Sequence, residues 1–299
     1  MSGLFAPALL HAATQAITPL LLAALGGALC GQAGVFNIAL EGQMLIGAFA
    51  AVAGSVFTHA AWAGVLIGAA AAMLFALILA YGATRLRGDP IVIGIGMNLL
   101  ASGLTAYLLR QMFGVSGTFA DPAIAGLATI RIGAVQGVPV LGPVLSGQTA
   151  LTWLAWVLVG AIGVALFRTP AGLRLRGVGE APDAAAALGV RVDAYRIGAV
   201  LASGALAGLA GAQLSLGTVS LFSEDMSAGR GWIAVVAVML GRSNPLYAAL
   251  ACVLFGFADA VGLRLQGQGL PSQLTDTAPY VVTLAALVLS HRRRLGRTA

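Results

Sequence analysis

Apolar runs of about 20 residues, the length that spans a roughly 30 Å hydrocarbon core as a helix, recur along the whole chain and are separated by short polar or glycine-rich intervals. The first covers residues 4–29 and is interrupted by Pro19, Gly26 and Gly27. The interval CGQAGVFNIALEGQ leads into a second block that ends near residue 57, and a third, over 61–83, stops at Arg85, Arg87 and Asp89. A fourth over 90–113 precedes a long glycine-rich interval to about residue 147, a fifth follows over 149–167, and a sixth over 196–216. After a loop holding Glu224 and Asp225 come a short apolar piece over 231–241, an eighth block over 245–265, a ninth over 277–290 and the tail HRRRLGRT. The short piece would extend only about 16 Å as a helix, which predicts broken or re-entrant geometry there.

These runs are continuous rather than alternating, which argues against a transmembrane barrel. Gly and Ala are spread through them in the way close helix packing allows, and Gly204 with Gly208 reads as a packing pair. The pattern predicts an all-α, polytopic transmembrane helical bundle of about 8–10 spans, a single domain over 1–299. Composition agrees, since 59% of residues are hydrophobic and only 9% charged, where soluble domains carry about a quarter. Cys30 and Cys252 sit in apolar stretches and read as small buried hydrophobes.

All sixteen basic residues are arginine. A phosphate-binding loop of the GxxxxGK type needs a lysine, so this chain has no such route to hydrolysing nucleotide and no catalytic residue is assigned. His11, His59 and His291 are far apart and lack ligand-spaced companions, so no metal site is expected. The first cation is Arg85, and no basic region of the signal-peptide kind precedes it. The net charge of +6 follows from membrane orientation and implies no nucleic acid. If the polar interval 173–195 is cytoplasmic, alternation of spans puts twelve arginines on that side and leaves Arg110, Arg131, Arg230 and Arg264 opposite, as the positive-inside rule prefers. The same count places the N-terminus outside, although residues 1–84 hold no cation that tests it.

Polar residues within the apolar blocks are the candidates for a solute path. A carboxylate at mid-membrane costs about 2.5–3.5 kcal/mol, so Glu41 should face the bundle interior or a wet cavity. Asn37 lies four residues earlier, on the same face if the stretch is helical. Gly94, Asn98, Ser102 and Thr105 form a second stripe, and Asp259, Gly262 and Gln266 a third. Such stripes either line a path or supply interhelical hydrogen bonds worth about 0.6 kcal/mol each.

The interval LRLRGVGEAPDAAAALGVRVDAY, residues 173–195, concentrates charge between two apolar blocks. Pro182 suits a first helical turn, Glu180 and Asp183 favour the positive end of a helix dipole, four alanines follow and Gly189 can close the helix. A single short helix displayed outside the lipid is expected.

Three stretches, GVFNIALEGQMLIGAFAAV, RGVGEAPDAAAALGV and GWIAVVAVMLGRSNPLYAALACVLFG, together resemble the permease subunits of bacterial ABC importers for nucleosides and simple sugars, in the broad family of ribose-type and branched-chain amino acid permeases. The resemblance covers about residues 19–262. It implies that Glu180, Ala181, Pro182, Asp183, Ala184 and Gly189 belong to the cytoplasmic coupling helix that docks on an ATPase subunit, with Ala181 where relatives commonly carry asparagine. It implies that Asn37, Glu41 and Gly42 lie beside the translocation path and that residues 241–245 form the second-half counterpart; Asn98 and Ser102 are path candidates from their polar stripe alone. The partners it implies are ABC ATPase subunits that bind ATP and Mg, a second permease subunit (a heterodimer, with a homodimer as the alternative), an extracytoplasmic solute-binding protein and the lipid of a bacterial inner membrane. No cofactor is expected in this chain. Two other classes fit the residues alone: a secondary transporter driven by an ion gradient through Glu41, and a membrane scaffold protein without transport.

Overall fold

The computed structural model describes residues 7–130 and 146–266; the ninth apolar block and the arginine-rich tail lie outside the described residues. Helix α1 spans Pro7–Gln32, α2 Leu40–Thr58, α3 Ala61–Phe75, α4 Leu77–Thr84 and α5 Pro90–Phe113. Then come α6 (Ala150–Arg168), α7 (Pro170–Glu180), α8 (Pro182–Ala187), α9 (Val192–Ala212, prolonged by a π-helical turn over Gln213–Val219), α10 (Arg230–Leu240) and α11 (Pro245–Gln266). Among the described residues seven helices are long and apolar enough to cross a membrane, α3 and α4 together forming one of them, and α10 is a shorter apolar helix. The polytopic helical bundle is therefore as the hydropathy pattern predicts. Helix α1 runs unbroken through Pro19; a carbonyl freed by proline is tolerated in a membrane helix when its neighbours re-satisfy it.

Small residues decide which helices sit at the centre. Helix α9 lies between α2 and α3 so closely that a Cβ on Gly208 would come within 2.7 Å of Ala69 Cα, and one on Gly211 would overlap the Met44 carbonyl oxygen. Gly204 abuts Ala72 and Ala76 in the same seam, which confirms its packing role with Gly208. Without water or lipid between them, such backbones gain dispersion contacts that large side chains would prevent. Cys30 and Cys252 are fully buried, each with its thiol against a backbone carbonyl, of Ala199 and Leu20 respectively.

The bundle has two distinct ends. At one, Gln32 Nε2 donates to the Ser243 carbonyl at 2.9 Å, Gly179 abuts Gly34, and Arg85 pairs with Asp193 at 3.6 Å. At the other, short strands β1 (Thr118–Phe119) and β4 (Phe222–Ser223) pair antiparallel, as do β2 (Thr129–Ile130) and β3 (Gln148–Thr149). There Gln148 Nε2 lies 3.1 Å from His11 Nδ1 near the start of α1. Arg85, Arg87, Arg168, Arg174, Arg176, Arg191, Arg196 and Arg242 belong to the first end, whereas Arg110, Arg230 and Arg264 lie toward the second. The positive-inside rule makes the first end cytoplasmic and puts the start of α1 outside, in line with the count from the sequence.

Candidate translocation and coupling site

Two of the crossings begin part-way through the bundle. Residues 33–39 are non-helical, so α2 starts beside the second and third turns of α5, where Gly94 packs against Ile38 and Ala39. Asn98 is eight residues in from Pro90, about 12 Å deep. From the opposite side the chain descends through residues 224–229 before α10 begins, and α10 then covers about 16 Å to the cytoplasmic end. The short apolar piece thus has the broken geometry its length predicts.

The N-termini of these two helices meet at Glu41. Its carboxylate lies in the first turn of α2 and accepts hydrogen bonds from Gly229 N at 2.8 Å and Gly231 N at 2.6 Å, the N-terminal amides of α10. One side chain thereby places negative charge at the positive ends of two helix dipoles and satisfies amides that lipid could not. Arg230 beside it pairs with Asp259 of α11 at 3.7 Å, which accounts for the carboxylate in the third polar stripe.

Asn98 holds the break from α5: its Oδ1 accepts from Gly42 N at 2.8 Å and its Nδ2 donates to the Ile38 carbonyl at 3.0 Å. Asn37 precedes α2, so it does not share a helical face with Glu41; the chain there is non-helical, and Asn37 Oδ1 accepts from Ala39 N at 2.9 Å in a local turn. Its Nδ2 donates to Gln43 Oε1 at 3.1 Å and to Ser203 Oγ at 2.9 Å, and the residue is buried. Ser102 is half-buried one turn beyond Asn98, and Gly94 and Thr105 are buried on the same stripe. The structure therefore brings Glu41, Asn98 and Asn37 together around one helix break. The sequence did not single out the buried Gln43 and Gln213, whose Nε2 atoms have no partner among the described residues, nor Gly229 and Gly231. A glutamine inside an apolar run was a usable signal; a backbone amide 188 residues away from Glu41 was not.

At the cytoplasmic end the polar interval holds two helices rather than one. Thr169 caps α7 by accepting from Gly172 N at 3.1 Å, and Arg176 Nε reaches back to the Leu166 carbonyl at 3.1 Å with its guanidinium over the Phe167 ring. This folds α7 against the end of α6. A Cβ on Gly179 would overlap the Gln32 carbonyl oxygen, so α7 touches the base of the segment that leads to α2. Helix α8 starts at Pro182 as its sequence predicts, and Gly189 at φ +79° closes it. Of the residues expected to belong to a coupling helix, Glu180, Ala181, Asp183, Ala184 and Gly189 are exposed and Pro182 is half-buried. Within α8 only Ala185 is buried, and Ala181 at the N-cap supplies no side-chain hydrogen bond.

Broken crossings that meet part-way through a bundle, with irregular backbone enclosed by protein, are the geometry of many membrane transport proteins. The chain belongs to the family of branched-chain amino acid transport system permease components, whose model matches residues 9–289. It is 36% identical to the nucleoside ABC transporter permease protein NupC of Lactococcus lactis, over 91% of this chain and 88% of that one. It is also 36% identical to TsgC13 of Haloferax volcanii, a permease protein provisionally named for a glucose ABC transporter, over 95% of this chain and 85% of the relative. A solved ABC transporter in an inward-facing conformation shares the fold, with a TM-score of 0.55 at 18% identity over 93% of this chain and 84% of that one.

Proposed function

We propose that this chain is the permease subunit of a bacterial inner-membrane ABC importer, that it forms part of the path for a nucleoside or simple sugar, and that α8 is where a separate ATPase acts. The substrate class rests on relatives named for nucleosides and for glucose. The coupling role rests on one observation: a six-residue helix at the arginine-rich end is buried only at Ala185 and half-buried at Pro182, which leaves Asp183, Ala184, Ala186 and Ala187 exposed.

The mechanism is alternating access without chemistry in this subunit. A solute-binding protein delivers solute from the outside, a second permease completes the cavity, and the partner ATPase binds ATP and Mg. A ligand shifts a conformational equilibrium only by its differential affinity for the two states, so the energy enters through α8. Movement of α8 passes into α7, and Gly179 bears on residues 32–34, which carry the chain to the break at Asn37 and Glu41. Asn98, bonded to the start of α2, and Ser102, one turn further along α5, are the residues of α5 proposed to border the path. The gradient-driven alternative loses support because both Glu41 oxygens are already engaged by α10 amides.

The test is uptake of labelled nucleosides and labelled glucose into cells carrying all the subunits. Deleting residues 184–187 is expected to reduce uptake to background while the partner's ATP hydrolysis ceases to respond to solute. Full-rate uptake after that deletion, or uptake that follows the ion gradient while ATP is held constant, would overturn the proposal.

A further inference from the structure

Along the cytoplasmic half of α9, Ala194, Gly198 and Ala202 recur every fourth residue and are exposed, and a Cβ added at Gly198 would meet nothing within 4 Å. Leu29 of α1 and Leu175 of α7 stand beside this strip and enclose an apolar cleft of about 330 Å³. From Ala194 to Ala202 the cleft climbs about 12 Å into the bilayer. A second cavity of about 710 Å³ shares Ala194 and Gly198 and opens at the cytoplasmic end, where Arg85, Arg191, Asp193 and Ala186 of α8 line it. Arg85 meets Asp193 through Nε at 3.6 Å, with the two side chains 63% and 50% exposed. Two guanidiniums against one carboxylate leave a net positive charge, and the terminal nitrogens of Arg85 can still fork onto a second anion.

A charged cavity at the cytoplasmic membrane boundary, continuous with an apolar cleft that runs into the lipid, has the two chemistries of one amphiphile. We propose that this double cleft binds an anionic glycerophospholipid, its phosphate between Arg85 and Arg191 and one acyl chain along Ala194, Gly198 and Ala202. Basic pockets between membrane helices on the cytoplasmic side suit anionic headgroups. A free phosphate would have no use for the apolar cleft, and a helix of a second subunit packed on the small residues would have no use for the arginines. The lipid site stands apart from the transport reading, and its headgroup would touch α8 through Ala186.

The purified full complex is exchanged into phosphatidylglycerol or phosphatidylcholine micelles, and retained lipid is counted by native mass spectrometry. Phosphatidylglycerol is expected to be retained and phosphatidylcholine not. An Arg85→Gln, Arg191→Gln double variant should lower phosphatidylglycerol retention by about 25-fold, roughly fivefold per arginine near the surface. Gly198→Leu should lower it without any change of charge. Both variants are expected to fold, since the Arg85 pair is exposed and contributes little and Gly198 faces open space. Equal retention by the double variant would overturn the proposal, as would displacement of the lipid by inorganic phosphate alone or a Gly198→Leu variant that binds like the original.

Discussion

Helices α9 and α5 are similar in length and apolar content, yet 67% of the most apolar stretch of the α9 span is buried inside the protein against 22% for α5. The difference lies in where the small residues point. On α9, Gly204, Gly208 and Gly211 all face other backbones, while on α5 Gly96 and Gly103 face open space. Hydropathy marks a segment as a crossing; the size of the residues on each face sets how deep in the bundle it packs. Helix α5 is joined to the centre chiefly along its Gly94, Asn98 and Thr105 side, which leaves its opposite face for lipid or a second subunit.

The largest expected break of this contrast is Gly211→Leu. The new side chain would overlap the Met44 carbonyl oxygen and force α9 from α2, so a loss of about 3 kcal/mol or more is expected, read as a lower Tm and poor recovery of folded protein. Next is Glu41→Ala, which leaves the Gly229 and Gly231 amides without acceptors at the point where α2, α10 and α5 meet. At about 1–2 kcal/mol per orphaned amide in this half-buried setting the expected loss is about 2–4 kcal/mol in thermal unfolding, with Glu41→Gln in between because one carbonyl oxygen remains. Smallest is Gly103→Leu on the open face of α5, expected to shift stability by no more than about 0.5 kcal/mol. A large Tm drop for this last variant would show that the α5 face is covered within the chain and that the contrast with α9 is false.

Local chemistry made several features legible. Pro182, the alanine run and Gly189 carry the start, body and end of α8 in their own backbone preferences, and the structure follows them. The asymmetry of the arginines sorted the two ends of the bundle, because charge placement relative to lipid is read span by span. Other features were not legible for a physical reason. The fourfold spacing of Asn37 and Glu41 suggested one helical face, but the Ala39 amide donates to Asn37 Oδ1 in a local turn and the helix begins only at Leu40. Helix α7 looked like connector because its residues are polar and glycine-rich; it forms because Thr169 caps it and Arg176 anchors it to α6.

By itself the sequence determined that this protein crosses the membrane many times, at which end its arginines gather and where a short helix projects from that end, since all three depend on the transfer of local segments between water and lipid. Only the tertiary structure decided that Glu41 joins the starts of α2 and α10, that Asn98 ties α5 to the same break and that α9 lies at the centre. Those outcomes depend on backbone amides and small residues that come together from distant parts of the chain, and a backbone amide carries no mark in the sequence of which side chain will accept its hydrogen bond.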